Sequence, residues 1–281
     1  MQILTIIKNG ASILKSFKMK TPNLDSELIL AKTLNTTRED LLINFDKKIT
    51  NEQFNLYRYY LSQRAKNKPI AYILGEKYFW KSNFFVNKEV LIPRPDTEII
   101  IEECQKKFHK NSSIRILDIG TGSGCILLSL LKEFKLSSGV GIDVSNNAIK
   151  VAKINAKLQQ LKNRVNFIKS NIDNYQSSNY DLIVSNPPYI KKLKINGLSE
   201  DVKDFEPKIA LDGGISGKQL IEKVVKKSTK LLKLRGCLIL EIDDDQIYFT
   251  KKKLKQNGFC LFRIVKNLSG KFRCITSIKV N

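Results

Sequence analysis

Ile114-Arg115-Ile116-Leu117-Asp118-Ile119-Gly120-Thr121-Gly122-Ser123-Gly124-Cys125 decides how this chain is read. Six residues of apolar, β-prone character run into three glycines at alternate positions, and a helical pattern follows over Cys125–Phe134. Glycines there let the backbone turn sharply and approach a ligand with no Cβ in the way. Outward from this unit, strands and helices alternate. Gly139–Val144 predicts a strand and Asn146–Leu161 a helix with apolar Ala148, Ile149, Ala152, Ile154 and Ala156. Val165–Lys169 and Asp181–Ser185 predict strands, Lys218–Leu234 a helix and Cys237–Ile242 another strand. Phe259–Val265 and Phe272–Ile278, joined through Leu268-Ser269-Gly270, read as a closing antiparallel pair. Such alternation implies an α/β fold: a mostly parallel sheet with helices on both faces. Ligands of these sheets bind beyond the carboxyl ends of the strands.

Upstream the pattern changes. Residues 1–75 carry helical spacing, with Ile3, Leu4, Ile6, Ile7 and then Ile13, Leu14 and Phe17, and with helix starts at Thr37 and Asn51. They predict a small helical domain. Over 76–95, Tyr78-Phe79-Trp80 and Phe84-Phe85-Val86 flank Lys81-Ser82-Asn83, which predicts a β-hairpin linker. It ends in Leu91-Ile92-Pro93-Arg94-Pro95-Asp96-Thr97-Glu98, where two prolines oppose helix and Thr97 is placed to cap the helix from Glu98. The α/β domain is expected over 96–281.

Composition narrows the function. With one histidine, His109, and five cysteines at no metal-ligand spacing, histidine-based catalysis, a zinc site and a disulfide framework are poor expectations. No apolar run approaches the roughly 18–20 residues of a membrane span, so a cytoplasmic protein is expected. The net charge of +22 favours a polyanionic neighbourhood and weak nonspecific RNA contact, although the lysine-rich, isoleucine-rich composition accounts for it equally well. Nothing suggests more than a monomer.

Two strand ends carry the chemistry. Asp118 stands two residues before the first glycine, and Asp143 ends the next strand, where a carboxylate can accept from both hydroxyls of a ribose. Asn171 and Ile172, after the third strand, can meet an adenine amino group and ring. A P-loop is excluded because no Gly-Lys-Ser/Thr follows; a nicotinamide dinucleotide is still open from these residues alone. Then Asp181–Ser185 ends in Asn186-Pro187-Pro188-Tyr189. The prolines stiffen the backbone and remove two N–H donors, which leaves the Asn186 amide oxygen and the Pro187 carbonyl as acceptors beside an aromatic ring. Two acceptors, one per N–H, suit a planar amide or amino group. They orient its delocalised lone pair at an electrophile. Hydride transfer has no use for that arrangement.

These motifs together resemble the Rossmann-like amino-methyltransferases, and within them the peptide chain release factor glutamine methyltransferase family. Arg64, Pro69–Gly75, Phe79-Trp80, the Ile92–Glu98 run and Glu206-Pro207 through Ala210–Gly214 add to the likeness. The resemblance implies S-adenosyl-L-methionine as cofactor, held by Asp118, Gly120, Thr121, Gly122, Gly124, Asp143, Asn171, Ile172 and Asn186. It implies methylation of the glutamine of the Gly-Gly-Gln tripeptide in class I release factors. Asn186, Pro187 and Tyr189 would be catalytic, with Pro188, Arg94 and Glu98 also at the substrate, and residues 1–75 would dock the release factor. Two positions depart from the family pattern: Asn171 where Asp is usual, and Asp243 of Glu241-Ile242-Asp243 where Gly is usual, which puts the local turn in question. Competing readings are a nucleic-acid methyltransferase acting on an exocyclic base amine, which needs a stacking pocket for the flipped base, and a non-catalytic basic RNA-binding module, which would not need Asn-Pro-Pro-Tyr intact.

Overall fold

A computed structural model describes residues 2–280. The chain forms two compact units, Met1–Glu76 with Ser199–Phe205, and Lys77–Leu198 with Glu206–Asn281. The short segment 199–205 thus groups with the helical unit although it lies inside the span expected for the α/β domain.

The first unit is built from α1 (Ile3–Ser16), α2 (Pro22–Leu34), α3 (Arg38–Ile43), α4 (Asn51–Ala65) and the short α5 (Ile70–Leu74). Thr37 and Thr50 cap α3 and α4, the latter in a reciprocal capping box with Gln53. Ile6, Leu14, Ile29, Leu30, Leu41 and Leu61 fill its core. Gly10 sits mid-helix for a packing reason. A Cβ there would fall 1.7 Å from the Tyr57 hydroxyl, which bonds Ser26 Oγ at 2.7 Å. Asp25 and Arg64, both buried, pair at 2.7 Å.

The second unit opens with the hairpin β1 (Glu76–Phe79) and β2 (Ser82–Phe85). Its turn is Trp80-Lys81, one residue earlier than the sequence suggests. Trp80 takes a left-handed φ of 54°, held by its N–H on Glu98 and its indole N–H on Glu133, each at 2.7 Å. Next come α6 (Glu98–Lys107), β3 (Arg115–Ile119), α7 (Cys125–Glu133), β4 (Ser138–Asp143), α8 (Asn146–Leu158), β5 (Val165–Lys169) and β6 (Tyr180–Ser185). After α9 (Glu200–Lys203), which lies in the first unit, the chain continues through α10 (Gln219–Leu231), β7 (Leu232–Glu241), α11 (Ile247–Gln256), β8 (Phe259–Lys266) and β9 (Phe272–Lys279). β7 starts five residues before the expected Cys237, because Leu232 already pairs with Tyr180 across an irregularity in the ladder.

The sheet order is β5-β4-β3-β6-β7-β9-β8, parallel from β5 to β7, with β9 antiparallel to β7 and β8 antiparallel to β9. Alternate strand residues serve two cores. Ile116, Leu182, Val184 and Ile239 pack with α6 and α7, while Leu117, Ile183, Leu238 and Leu240 pack with α10. Each such side chain, fully removed from water, contributes roughly 1.5–3 kcal/mol. The chain leaves β3 first toward β4 and β5 and later places β6 on the other side of β3. That reversal opens a crevice beyond the carboxyl ends of β3 and β6. Among the described residues no helix is long and apolar enough to cross a membrane.

Candidate active site

A cavity of about 550 Å³ occupies this crevice. Its floor and one wall come from Gly120 and Gly122 after β3, Asp143 at the end of β4, Asn171 and Ile172 after β5. Asn186, Pro187 and Pro188 after β6 form the opposite wall, and Val90, Leu91 and Pro207–Ala210 close the mouth. Gly120 (φ 76°) and Gly122 (φ 54°) use the left-handed backbone that L residues avoid. A Cβ on either would meet nothing within 4 Å, so their missing side chains leave open space for a ligand. Asp143 accepts the Gly122 N–H at 3.0 Å and the Ser145 N–H at 2.9 Å, which fixes the carboxylate against the turn and leaves a further lone pair on each oxygen. Burial raises its proton affinity and these backbone donors lower it. Ile172 is buried yet lines the cavity, whereas Asn171 is exposed and its side-chain oxygen already takes the Asp173 N–H at 3.0 Å.

Three of the expected cofactor residues lie behind the wall. Asp118 is buried, takes the Thr121 hydroxyl at 2.7 Å and leaves Oδ1 without a donor. Burial pushes its carboxyl up to about 7, against the Thr121 bond and with help from the Asp143 charge. Gly124 turns the chain into α7 with its Cα packed toward Phe167, so it supports the turn and stays clear of the cavity.

The Asn186–Tyr189 segment holds two open acceptors. Asn186 Nδ2 donates to Thr97 Oγ1 at 3.2 Å, which directs Oδ1 the other way. Among the described residues no protein hydrogen bond ends on Asn186 Oδ1 or on the Pro187 carbonyl. The loop from Leu211 to Gly213 braces the segment through the Ile190 N–H on the Leu211 carbonyl (3.2 Å) and the Gly213 N–H on the Ile190 carbonyl (2.9 Å). Tyr189 does not line the cavity. Its hydroxyl donates to Glu241 Oε1 at 3.2 Å, and burial beside that carboxyl raises its proton affinity.

The Ile92–Glu98 run has a different use from the one its charges suggest. Arg94 pairs with the buried Glu206, which also takes the Ile92 N–H. Asp96 takes Arg273 Nε at 3.0 Å and Asn267 Nδ2 at 2.9 Å. Glu98 takes the Trp80 N–H. Arg94 and Glu98 therefore build the wall and lie outside the cavity lining. Thr97 makes no side-chain cap bond to α6; its hydroxyl instead takes Asn186 Nδ2. Asp243 needs no glycine geometry: at φ −82° it caps the turn Asp244–Gln246 in a reciprocal box with Gln246. Sequence reading missed Glu241 and the inward Thr97, although both sit inside quoted motifs. Their signal was a carboxylate ending an apolar strand and a hydroxyl between two acidic residues, Asp96 and Glu98.

A doubly wound sheet with a glycine cradle, a strand-end carboxylate and an Asn-Pro-Pro-Tyr wall defines a Rossmann-like methyltransferase. Comparison with known proteins agrees. The family model described as PrmC N-terminal domain matches residues 5–75, and the Methyltransferase small domain matches 95–200. Proteins named release factor glutamine methyltransferase are 35% identical in Caulobacter vibrioides, over 98% of this chain and 97% of that one, and 38% identical in Fusobacterium nucleatum, over 98% and 78%. A crystal structure of a methyltransferase from Pyrococcus furiosus shares the fold at 20% identity, with a TM-score of 0.55 over 78% of this chain and 98% of that one. A ribosomal protein L11 methylase from Lactobacillus delbrueckii does so at 16% and 0.51, over 70% and 84%. The chain belongs to the release factor glutamine methyltransferase family.

Proposed function

We propose that this enzyme transfers a methyl group from S-adenosyl-L-methionine to the side-chain amide nitrogen of the glutamine in the Gly-Gly-Gln tripeptide of class I peptide chain release factors, in the cytoplasm. The observation that carries the reading is the pair of open acceptors, Asn186 Oδ1 and the Pro187 carbonyl, on the wall of the cavity that also holds Gly120, Gly122 and Asp143. The cofactor, when bound, supplies an activated methyl on a sulfonium. Asp143 suits its ribose hydroxyls, the glycine turn its approach to the backbone, and Ile172 its adenine ring; Asn171 serves through whatever hydrogen-bonding capacity Asp173 leaves.

At the other wall, each acceptor takes one N–H of the glutamine amide. This holds the nitrogen with its lone pair aimed across the cavity at the activated methyl, and the two acceptors raise the electron density on that nitrogen. As the N–CH3 bond forms, the nitrogen's extra proton becomes acidic and leaves to water, so no strong base is required. The helical unit is assigned to holding the body of the release factor. The names of the relatives support the substrate class.

The test supplies labelled cofactor to the purified enzyme with a class I release factor in one tube and cellular RNA and DNA in another. The reading expects label on the release factor, lost when its Gly-Gly-Gln glutamine is replaced. Label on nucleic acid alone would overturn it in favour of base methylation.

A further inference from the structure

Gln246 is fully buried and lies outside the cavity lining, yet both ends of its side chain are in use. Oε1 accepts the Asp243 N–H at 3.0 Å, which closes the local capping box. That bond needs only the oxygen. The nitrogen reaches out of the turn: Nε2 donates to the Tyr189 carbonyl at 3.1 Å and to the Gly217 carbonyl at 2.7 Å. Oxygen meets a donor and nitrogen meets two acceptors, so the amide has one favourable orientation. Without its two hydrogens, both carbonyls would lose this donor in a site closed to water.

The two carbonyls belong to two sides of the cavity. Tyr189 directly follows Asn186, Pro187 and Pro188, which line one wall, and Gly217 ends a loop whose Asp212, Gly213 and Gly214 line the same cavity. That loop lies on the backbone of the wall. Besides the two Ile190 bonds, the Lys192 N–H donates to the Gly214 carbonyl at 3.0 Å. Gly213 has no left-handed φ, yet a Cβ there would fall 2.8 Å from the Pro188 carbonyl oxygen and 2.9 Å from Tyr189 Cα. Those are main-chain atoms, which cannot swing aside as the end of a side chain can. The wall is therefore held near the start of the loop by close contact at Gly213 and at its end by the Gln246 bridge. Pro187 and Pro188 have no N–H with which to anchor themselves. The place of the Pro187 carbonyl is thus inherited from Tyr189 and Ile190, the residues that the loop and Gln246 hold.

We propose that Gln246 and Gly213 are positioning residues for methyl transfer: they hold the loop 211–217 against the Tyr189 backbone and so place the Pro187 carbonyl at the substrate amide. The inference rests on the amide-methylation reading given above.

The test measures kcat and KM for the release factor, and cofactor Kd and stoichiometry by calorimetry, in Gln246→Glu, Gly213→Ala and the double variant. Gln246→Glu keeps the shape and the acceptor for the Asp243 N–H, but even when protonated it can give a hydrogen to only one of the two carbonyls. Gly213→Ala leaves the Gln246 amide in place and forces the two backbones apart. Each single change is expected to lower kcat per cofactor-binding site about 10- to 100-fold, the cost of a displacement near 1 Å at a reacting group. Cofactor Kd and release-factor KM should each stay within about threefold of native, as for an interaction that matters only in the transition state. Because both changes disturb one junction, the double variant should be no more than about threefold slower than the slower single one. A fault in folding alone would instead remove cofactor-binding sites and leave kcat per site unchanged. Native kcat per site in either single variant, or losses that multiply in the double variant, would overturn the assignment. A native enzyme that fails to label the release factor would overturn the proposed function, and this inference with it.

Discussion

An asparagine side chain has two ends of opposite hydrogen-bonding sense, and the role proposed for Asn186 depends on which one faces the cavity. Asn186→Ala removes one of the two acceptors, so kcat should drop by about 100-fold or more while cofactor Kd stays within about twofold, as for loss of one preorganised contact at a reacting group. Stopped turnover with lost cofactor binding would assign Asn186 to the cofactor instead. Asp143 belongs to the other wall. Asp143→Ala should weaken cofactor binding by about 10- to 100-fold, the scale of losing charge-assisted hydrogen bonds, and calorimetry with an unchanged Kd would contradict its ribose role. Asn186, Pro187 and Asp143 were legible in the sequence because each stands at the end of a strand inside one contiguous motif. Thr97 and Glu241 were not. Their partners lie far away in the chain: the Pro95–Thr97 turn brings Thr97 to Asn186, and the β6–β7 pairing brings Glu241 to Tyr189. The partners of Arg94 and Glu98, Glu206 and the Trp80 backbone, were hidden for the same reason: they come from elsewhere in the chain.

At the scale of elements, periodicity was a good guide wherever burial follows a simple pattern. The central strands β3 and β6 are apolar runs buried on both faces, and helices such as α8 and α10 carry one apolar stripe, so both were legible. What periodicity could not supply was pairing. The early start of β7 at Leu232 comes from its partner Tyr180, and the hairpin turn at Trp80 comes from two carboxylates that hold that residue in a left-handed conformation. Nor could it show that segment 199–205 groups with the helical unit, where Glu200 takes Asn67 Nδ2 at 2.5 Å. In that unit, Gly10 is the position where α1 tolerates no side chain. Gly10→Ala should destabilise the helical unit by about 1–3 kcal/mol despite alanine's better helix propensity, because the methyl displaces the Tyr57 hydroxyl from Ser26. Denaturant unfolding of the variant reads this, and adding Tyr57→Phe should recover part of the loss. Equal or greater stability of Gly10→Ala would show that the α1–α4 packing is looser than described.

For the whole molecule, two of the buried carboxyls, Glu241 and Asp118, make stability depend on pH. Glu241 is pushed up to about 7, first by burial, against the Thr97 and Tyr189 hydroxyls and the Arg273 charge, with Asp96 adding to the rise. Asp118 is likewise pushed up to about 7 by burial. Cys125 and Cys274 also sense the Glu241 charge, and Asp243 faces it through Arg273 and Tyr189. Between the ordinary carboxylate value and about 7 the folded chain binds more protons than the unfolded one. These groups therefore stabilise the fold most in acid, and that contribution is lost as pH rises through 7. Glu241→Gln removes one titration, so its loss of stability from about pH 5 to about pH 8 should be smaller than the native protein's, by an amount on the order of 2–3 kcal/mol. Parallel curves for the two proteins would place the Glu241 proton affinity near its ordinary value. The central claim concerns one nitrogen atom, and the most direct measurement is fragment mass spectrometry of a class I release factor after incubation with the enzyme and S-adenosyl-L-methionine. The account predicts a single added methyl on the glutamine of Gly-Gly-Gln, absent with Asn186→Ala. A methyl on any other residue, or an unmodified release factor beside a methylated nucleic acid, would contradict it.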